Sequence, residues 1–269
     1  PKDDTGNPAT ITAIWFNITN GQLASGRNTI WAVPNSYTLG PDRLTLNVSS
    51  NYYHNSTASV NITVYGSSNV SWVAPPSGYY RNLTLNLTCL VRDNQSGSAI
   101  SGYLVEFFDN SSSLGFSSTN SSGHAVKQLS TDTIAEGNHS LRCVIYDNTT
   151  IYYTISGANQ ANVSVIIDRT LPAISYNQNT DSSGSYSRNW TFINITAQDS
   201  NLDRVLLFWN GTSQSFANSS GNLYWINKTD LADGIYQFYA FANDTAGNTN
   251  QTVVRTITID TTAPVITVL

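Results

Sequence analysis

The sequence is poor in the features on which most enzymes and nucleic-acid-binding proteins depend. Among 269 residues there is no methionine, only 11% are charged, and there are two glutamates and three lysines. A net charge of −5 and the lack of any lysine or arginine cluster argue against a nucleic-acid partner. The longest apolar runs are strand-sized, such as VLLFW at 205–209, so we expect no membrane span.

Catalytic and metal-binding patterns are also missing. The sequence has no GxSxG, HExxH, phosphate-loop or GxGxxG segment, and its histidines, His54, His124 and His139, lie on unrelated segments. We therefore expect no enzyme activity and no cofactor. Several aspartates near the predicted junctions leave Ca²⁺ as an alternative to simple turn residues, although no D-x-D-x-D-G loop occurs. These aspartates are Asp168, Asp199, Asp203, Asp244 and Asp260.

What is abundant is asparagine followed by serine or threonine. The chain has 31 Asn and 65 Ser and Thr residues, and 20 of the asparagines begin an Asn-x-Ser/Thr acceptor triplet. Random pairing predicts about seven or eight triplets. Polar residues that only furnish turns and strand faces do not account for this excess, so we predict dense N-glycosylation and an extracellular location. The predicted acceptors are Asn17, Asn47, Asn55, Asn61, Asn69, Asn82, Asn86, Asn94, Asn110, Asn120, Asn138, Asn148, Asn162, Asn189, Asn194, Asn210, Asn218, Asn227, Asn243 and Asn250.

Alternation with a period of two runs through the chain. In NLTLNLTC (82–89) the polar residues occupy one face, and Leu83, Leu85, Leu87 and Cys89 occupy the other. The segments SVNITVY (59–65), NITA (194–197) and VVRTITI (253–259) repeat the pattern, whereas no helix-length stripe of period 3.6 occurs. The sequence therefore predicts an all-β protein in which the leucines of 82–89 face a core.

Internal repeats organise these predicted strands. IDRTLPAI (167–174) and IDTTAPVI (259–266) match at a spacing of 92 residues, and RVLLFWNGTS (204–213) aligns with YLVEFFDNSS (103–112). We predict two whole units at 67–168 and 169–260, each of about one hundred residues. Residues 1–66 align only with the C-terminal strands of a unit, and 261–269 align only with its first strand. We expect the sequence to be a processed or excerpted piece of a longer chain.

The repeat alignment also relates the only two cysteines. Cys89 falls opposite Ala197, and Cys143 falls opposite Ala240, so the next repeat replaces both cysteines together. Joint replacement is expected when two positions face each other across a core, and an even cysteine count outside the cytoplasm agrees with a bond. We predict a Cys89–Cys143 disulfide, with two separate buried thiols as the alternative.

The repeats resemble known immunoglobulin-like (Ig-like) repeats of prokaryotic surface proteins, including cadherin-like ones. The third unit carries their Asp-Thr-x-x-Pro entry, at 260–264, and their late pattern, in LADGIY (231–236) and DTAGN (244–248). The second is similar to the invasin and intimin kind through GYLVEF (102–107) and NSSGHA (120–125), although SWVAPPSG (71–78) replaces the entry motif. The composition is similar to that of archaeal S-layer and pilus glycoproteins. The resemblance implies tandem Ig-like β-sandwiches in a linear array.

Within such a fold, several aromatic residues have expected roles. Tyr236 is expected to be a corner tyrosine that bonds to the backbone near Leu231, and His139 is expected at the equivalent place in a core. Trp72 and Trp190 remain open between carbohydrate contact and packing. The tryptophans that align between repeats, and that we interpret as framework, are Trp15, Trp31, Trp209 and Trp225.

These observations predict a non-enzymatic structural subunit of a heavily N-glycosylated filament, stalk or surface layer outside the cell. Its partners would be further copies in a homopolymer, or neighbouring domains of one long chain. Strand 261–269 would fill the groove of a unit lacking its first strands, which is donor-strand complementation. The alternative is that the repeats are spacers of a cell-surface adhesin that binds carbohydrate or host cells.

Overall fold

The structure is a computed structural model, and it describes residues 11–17, 21–25, 33–34, 37–50, 53–81 and 83–266. Strands dominate the described residues, with a single 3₁₀ turn at Thr131–Thr133, which confirms the all-β prediction. None of the described segments is a helix of the length and apolarity needed to span a membrane. The chain forms two compact units: unit 1 is Pro1–Pro76, Leu85–Leu129 and Ser140–Ser164, and unit 2 is Ser77–Thr84, Ser130–His139 and Val165–Leu269.

Unit 1 begins with a four-stranded antiparallel sheet. Its strands are β1 (Ile11–Asn17), β2 (Gly21–Ser25), β3 (Gly40–Ser50) and β4 (Tyr53–Val64), in the order β2-β1-β3-β4. The longest pairing joins β3 to β4, from Gly40 opposite Val64 to Ser50 opposite Tyr53. Trp31, predicted as framework, and the predicted acceptor Asn82 lie outside the described residues.

The next nine strands form two sheets. One has the order β10-β7-β5-β12 and the other has the order β6-β13-β11-β8-β9. The strands are β5 (Gly66–Ala74), β6 (Gly78–Tyr80), β7 (Thr84–Asp93), β8 (Leu104–Asp109), β9 (Ser112–Ser118), β10 (His124–Ser130), β11 (Gly137–Ile145), β12 (Tyr153–Ile155) and β13 (Gln160–Ile167). Short parallel pairings join β12 to β5 and β13 to β6, and the other pairings with a described register are antiparallel.

Strand β7 shows how the sequence alternation sets the burial. Leu85, Leu87 and Cys89 are almost completely buried, while Asn86 between them is exposed, as the period-two pattern predicts. The prediction for Leu83 was wrong, because its side chain is 42% exposed. Strand β7 begins only at Thr84, and the backbone N–H of Leu83 donates instead to Oγ1 of Thr131 at 2.9 Å.

The third set of strands lies wholly in unit 2 and again forms two sheets. Their orders are β14-β16-β20-β19 and β15-β23-β21-β17-β18, with β22 paired to β21. The strands are β14 (Ala173–Tyr176), β15 (Gly184–Tyr186), β16 (Thr191–Gln198), β17 (Leu202–Trp209), β18 (Thr212–Ser215), β19 (Asn218–Ser220), β20 (Leu223–Lys228), β21 (Gly234–Asp244), β22 (Thr249–Gln251) and β23 (Arg255–Ile259). Inward residues of both sheets form one core, including Ile195, Leu207, Phe238 and Ile257.

The first sheet repeats part of this architecture. Strand β1 lies between β2 and β3, and β3 is next to β4, just as β17 lies between β18 and β21, and β21 is next to β23. This order matches the later strands of a sandwich, with which the sequence of residues 1–66 aligns. The domain limits drawn from the repeats, 1–66, 67–168, 169–260 and 261–269, stay a prediction.

The structure corrects the alignment of two central strands by one residue. The sequence alignment set Phe107 opposite Phe208, but Asn110 and Asn210 hold equivalent turns. Both have positive φ, of 53° and 47°. Oδ1 of Asn110 accepts a backbone N–H from β11 at 3.0 Å, and Oδ1 of Asn210 accepts one from β21 at 2.8 Å. Phe208 therefore corresponds to Phe108. Asparagine tolerates this left-handed conformation, so the turn fixes the register.

Candidate functional site

A largely buried cluster of carboxylates lies in unit 2, where the linker that follows β13 meets the end of β16 and the end of β21. One oxygen from each of Asp168, Asp199 and Asp244 lies within 4.8 Å of the others. Asp168 is 5% exposed and Asp244 is 1% exposed. The structure thus brings together three of the five aspartates noted in the sequence, and Asp203 and Asp260 do not belong to this group.

Asn248 supplies most of the hydrogen bonds in this cluster. Its Nδ2 donates to the carbonyl of Asp168 at 3.0 Å and to Oδ2 of Asp244 at 2.7 Å, and its backbone N–H donates to Oδ1 of Asp244 at 2.8 Å. Asn201 Nδ2 donates to Oδ2 of Asp168 at 2.7 Å, and Arg81 donates to Oδ1 of Asn248 at 3.4 Å. The amides thus stabilise the carboxylates and tie the linker to the turn.

The same carboxylates are the described residues that could hold a metal ion. Carboxylate oxygens are the ligands that Ca²⁺ prefers. Nothing at the cluster beyond the carboxylates points to an ion, because each Asp also has a hydrogen-bonding role: Asp199, for instance, accepts the backbone N–H of Asn201 at 2.8 Å. The geometry therefore supports a structural junction. The DTAGN motif carried the signal, but the sequence could not reveal that Asn248 reaches back to the linker.

A second set of contacts fixes the linker to the turn before β11. Glu136 accepts the backbone N–H of Arg169 at 3.2 Å and the hydroxyl of Thr170 at 2.9 Å. Arg169 also forms an ion pair with Glu136 at 3.5 Å and donates to the carbonyl of Thr131 at 2.6 Å. Ordering by several hydrogen bonds makes this linker part of the folded structure rather than a flexible spacer.

The segment after β23 is fixed in the same way. Asp233, at the position that corresponds to Glu136, accepts the backbone N–H of Thr261 at 2.8 Å and the hydroxyl of Thr262 at 2.6 Å. These bonds, the Thr262 hydroxyl first, hold the pKa of the Asp233 carboxyl below its ordinary value. Asp260 donates its N–H to the carbonyl of Tyr186 at 3.0 Å, as Asp168 does to Tyr80. The two repeats therefore share one linker geometry.

The corner residues confirm their predicted roles. The hydroxyl of Tyr236 donates to the carbonyl of Ala232 at 3.0 Å, next to the predicted Leu231. His139 is 7% exposed, and its Nε2 lies 2.9 Å from the carbonyl of Ala135, at the same four-residue spacing. His139 therefore replaces a corner tyrosine. Among the described residues the carboxylate cluster is the one candidate metal group, and it contains no histidine.

The two cysteines form a disulfide inside unit 1. Cys89 of β7 and Cys143 of β11 are joined with a Cα–Cα distance of 6.7 Å, across 54 residues of sequence. Both side chains are fully buried, and Trp72 and Phe107 are their respective neighbours on the adjacent strands. This is the pair that the repeat alignment predicts. Ala197 and Ala240, its predicted counterparts, are also fully buried in the third core.

The predicted glycan acceptors avoid the protein interior. Of the 18 acceptor asparagines whose side chains are described, 12 are exposed, six are half-buried and none is buried. The exposed ones are Asn55, Asn61, Asn86, Asn94, Asn110, Asn120, Asn138, Asn162, Asn189, Asn210, Asn218 and Asn227, and the half-buried ones are Asn47, Asn69, Asn148, Asn194, Asn243 and Asn250. Asn248, which begins no acceptor triplet, is 2% exposed.

In three of the acceptors, the nitrogen that would carry a sugar already donates a hydrogen bond. Nδ2 of Asn250 donates to the carbonyl of Pro172 at 2.9 Å, and Nδ2 of Asn243 donates to Oδ2 of Asp203 at 2.9 Å. Nδ2 of Asn69 donates to Oδ1 of Asn94 at 2.8 Å. A sugar at these positions would compete with the existing hydrogen bonds. We therefore expect these three acceptors to be glycosylated less often than the exposed ones.

The tryptophans divide into inward and outward residues. Trp209 stacks on Tyr236 and Phe238 beside the third core, as a framework residue should. Trp72 is half-buried, and its Nε1 donates to the carbonyl of Pro75 at 2.7 Å. Trp190 is 41% exposed, with the Arg188 guanidinium 4.2 Å from its ring centre. The framework interpretation of Trp225 was wrong, because Trp225 lies opposite Asn194 on the outward face of β20.

One family model and several solved structures are similar to this chain. Residues 168–261 match the sequence model of the bacterial Ig-like domain. A structure of titin domains I67–I69 covers 94% of this chain and 88% of its own, at 14% identity and a TM-score of 0.42. The fibronectin(III)-like modules of Clostridium thermocellum CbhA cover 71% of this chain and 93% of their own, at 16% identity and a TM-score of 0.41. The structure of a bacterial ice-binding adhesin covers 95% of this chain and 88% of its own, at 14% identity and a TM-score of 0.37.

A search of curated protein sequences finds no match to this chain. The fold and the family match together define the class of protein. The chain is built of tandem Ig-like β-sandwich domains, and its residues 168–261 are similar to the bacterial Ig-like domain.

Proposed function

We propose that this chain is a non-enzymatic structural segment of a heavily N-glycosylated protein outside the cell, in a filament, stalk or surface layer. The observation that carries the proposal is the placement of the acceptor asparagines. None of the 18 described acceptor side chains is buried, although the sandwiches bury many other polar side chains. Ig-like domains serve mostly as structural and binding modules, and function depends on the sites they carry.

The hydrogen-bonded linkers support a mechanical role. Asp168, Asn248 and Glu136 fix the linker after β13, and Asp233 fixes the corresponding segment after β23. Linkers ordered in this way restrict the motion of each domain relative to its own linker. Repeats that are joined to their neighbours alone behave as a quasi-one-dimensional chain, which suits a stalk or filament.

Donor-strand complementation is the form of assembly that we propose. Residues 261–266 form no strand, and Val265 and Ile266 are 91% and 85% exposed. Their counterparts at an offset of 92 residues, Ala173 and Ile174, begin β14, which pairs with β16. An apolar strand-like segment without a partner is suited to β-augmentation. Covalent neighbours in a longer tandem chain, of which this would be one piece, are the alternative. The archaeal source is likewise a proposal, supported by composition.

Imaging and intact mass of the native material test this proposal together. Filaments, stalks or a surface layer that incorporate the protein are the expected result, and a freely soluble protein with a catalytic activity would overturn it. A mass near the 29.3 kDa of the polypeptide plus its glycans supports donor-strand assembly. A mass of hundreds of kilodaltons would favour covalent tandem repeats and contradict the donor-strand form.

Spacer repeats of an adhesin are the second candidate, and exposed Trp190 is the observation that favours it. Its indole is 41% exposed, and an exposed aromatic surface can pack against the C–H groups of a sugar. Binding of the purified segment to a glycan array, lost in Trp190→Ala, would favour the adhesin. No binding by the intact segment would leave the structural role as the better account.

A further inference from the structure

We propose that an N-glycan on Asn194 packs its first sugar ring against the indole of Trp225, so that carbohydrate completes the outer face of the sheet β14-β16-β20-β19. This inference rests on the proposed glycosylation, and it adds a protein surface that the sugar occupies. It concerns a specific acceptor and a specific aromatic contact.

The register of β16 places the acceptor outward. Ile193, Ile195 and Ala197 are completely buried in the core, so Phe192, Asn194 and Thr196, which alternate with them, project from the other face. The acceptor asparagine and the hydroxyl residue of its triplet therefore share a face, with an aromatic residue two positions before them.

The neighbouring strands place Trp225 beside that acceptor. Asn194 lies directly opposite Trp225 on β20, and Trp225 lies directly opposite Asn218 on β19. Directly opposed residues share a face, with Cβ atoms about 4.5–5.5 Å apart. Tyr224 and Ile226, the neighbours of Trp225 along β20, pack against the core, and Trp225 does not. The indole thus stands in a row between two predicted acceptors.

Asn177 holds the acceptor amide of Asn194 in place through a hydrogen bond. Its Nδ2 donates to Oδ1 of Asn194 at 3.0 Å, and its Oδ1 accepts the hydroxyl of Thr196 at 2.8 Å. Nδ2 of Asn194 has no hydrogen-bond partner among the described residues, in contrast to Nδ2 of Asn243 and Asn250. Attachment joins the anomeric carbon of a phosphate-activated sugar to Nδ2, which loses one proton as the phosphate leaves.

A pyranose ring fits the surface that surrounds this amide. One face of such a ring presents C–H groups, which pack on the flat face of an aromatic side chain as other apolar groups do. Phe192 lies next to Asn194 along β16 and opposite the acceptor Asn227, so the aromatic surface continues on a second side. Trp190 differs, because the Arg188 guanidinium already lies 4.2 Å from its ring centre. Trp190 is therefore an internal control.

Hydroxyl-radical footprinting of the full chain, purified from cells that glycosylate it, tests the contact. Asn194→Gln and Thr196→Ala both remove the acceptor triplet, whereas Thr196→Ser keeps it and serves as the matched control. Trp225 is half-buried in the protein alone. Because a stacked sugar would hide roughly half of the indole surface that remains exposed, we expect Trp225 oxidation to rise about twofold in both removal variants. Trp190 oxidation, and Trp225 oxidation in Thr196→Ser, should not change.

Glycopeptide mass spectrometry on the same samples separates the two proposals. A glycan at Asn194 with unchanged Trp225 oxidation overturns the stacking while the glycosylation stands. A bare Asn194 in a chain glycosylated elsewhere also overturns the stacking alone. A chain without glycan at any acceptor overturns both proposals. Occupancy at Asn194 with the twofold rise in both removal variants supports the inference.

Discussion

Replacing Cys89 and Cys143 together by alanine should greatly destabilise the second sandwich, which is formed by strands β5 to β13. The bond closes a segment with a sequence separation of 54 residues. Chain entropy then gives about 4 kcal/mol of stabilisation from the restricted unfolded state. At roughly 4–8 °C per kcal/mol for a domain of this size, the melting temperature should fall by about 15–30 °C.

The third sandwich shows that alanine is acceptable in such a core. Ala197 and Ala240 are fully buried at the corresponding positions, so the double variant introduces side chains that the fold already uses. The converse change, Ala197→Cys with Ala240→Cys, should form a new bond. Thiol titration of the unfolded chain would then find no free cysteine.

Hydrogen exchange followed by mass spectrometry can measure the loss in the intact chain. Peptides from β7 and β11 should exchange at lower denaturant in the Cys89→Ala, Cys143→Ala variant, and peptides from β16 and β21 should be unaffected. A loss below about 1 kcal/mol in β7 and β11 would refute the entropic argument, because it would mean that the unfolded chain is barely restricted by the bond.

Three further changes test the core, the junction and the linker. Leu87→Ala, at a completely buried position, should cost about 2–5 kcal/mol in denaturant unfolding, whereas Leu83→Ala, at a position 42% exposed, should cost little; equal losses would contradict the assigned start of β7. Asn248→Ala leaves a buried carbonyl and a carboxylate without their donor, and should cost roughly 2–3 kcal/mol; an unchanged unfolding midpoint would contradict the junction. The folded-state pKa of Asp233 is lowered, so its stabilisation is present above the unfolded pKa and is lost as pH falls through the folded pKa. Exchange protection at Thr261 should therefore decrease on acidification, and Asp233→Asn should abolish that pH dependence; a dependence that persists in the variant would assign it elsewhere.

The fold class followed from local chemistry that the sequence displays. Period-two alternation decides which face of a strand is buried, and so Leu85, Leu87 and Cys89 were predicted correctly. Leu83 was not, because the end of a strand depends on which partner takes the backbone hydrogen bond, and Thr131 is 48 residues away. Alternation contains no information about that partner.

The alignment error near Phe208 and the carboxylate junction could not be predicted for a similar reason, because both depend on conformations and contacts that the sequence permits but does not specify. One residue of offset near Phe208 depends on the left-handed conformation of Asn210, which the sequence permits but does not require. Similarly, the aspartates of the junction could each be identified as turn residues, but only the tertiary fold brings Asp168 to Asp244. Trp225 was interpreted as framework because it aligns with Trp31, and that alignment gives its position in a repeat but not the face of the strand on which it lies.

Glycopeptide mapping of the native protein tests whether the chain is densely N-glycosylated. We expect sugar on most of the exposed acceptors, such as Asn86, Asn162 and Asn227, and bare side chains at Asn243 and Asn250, whose Nδ2 atoms already donate at 2.9 Å. Unmodified asparagine at every acceptor would contradict it.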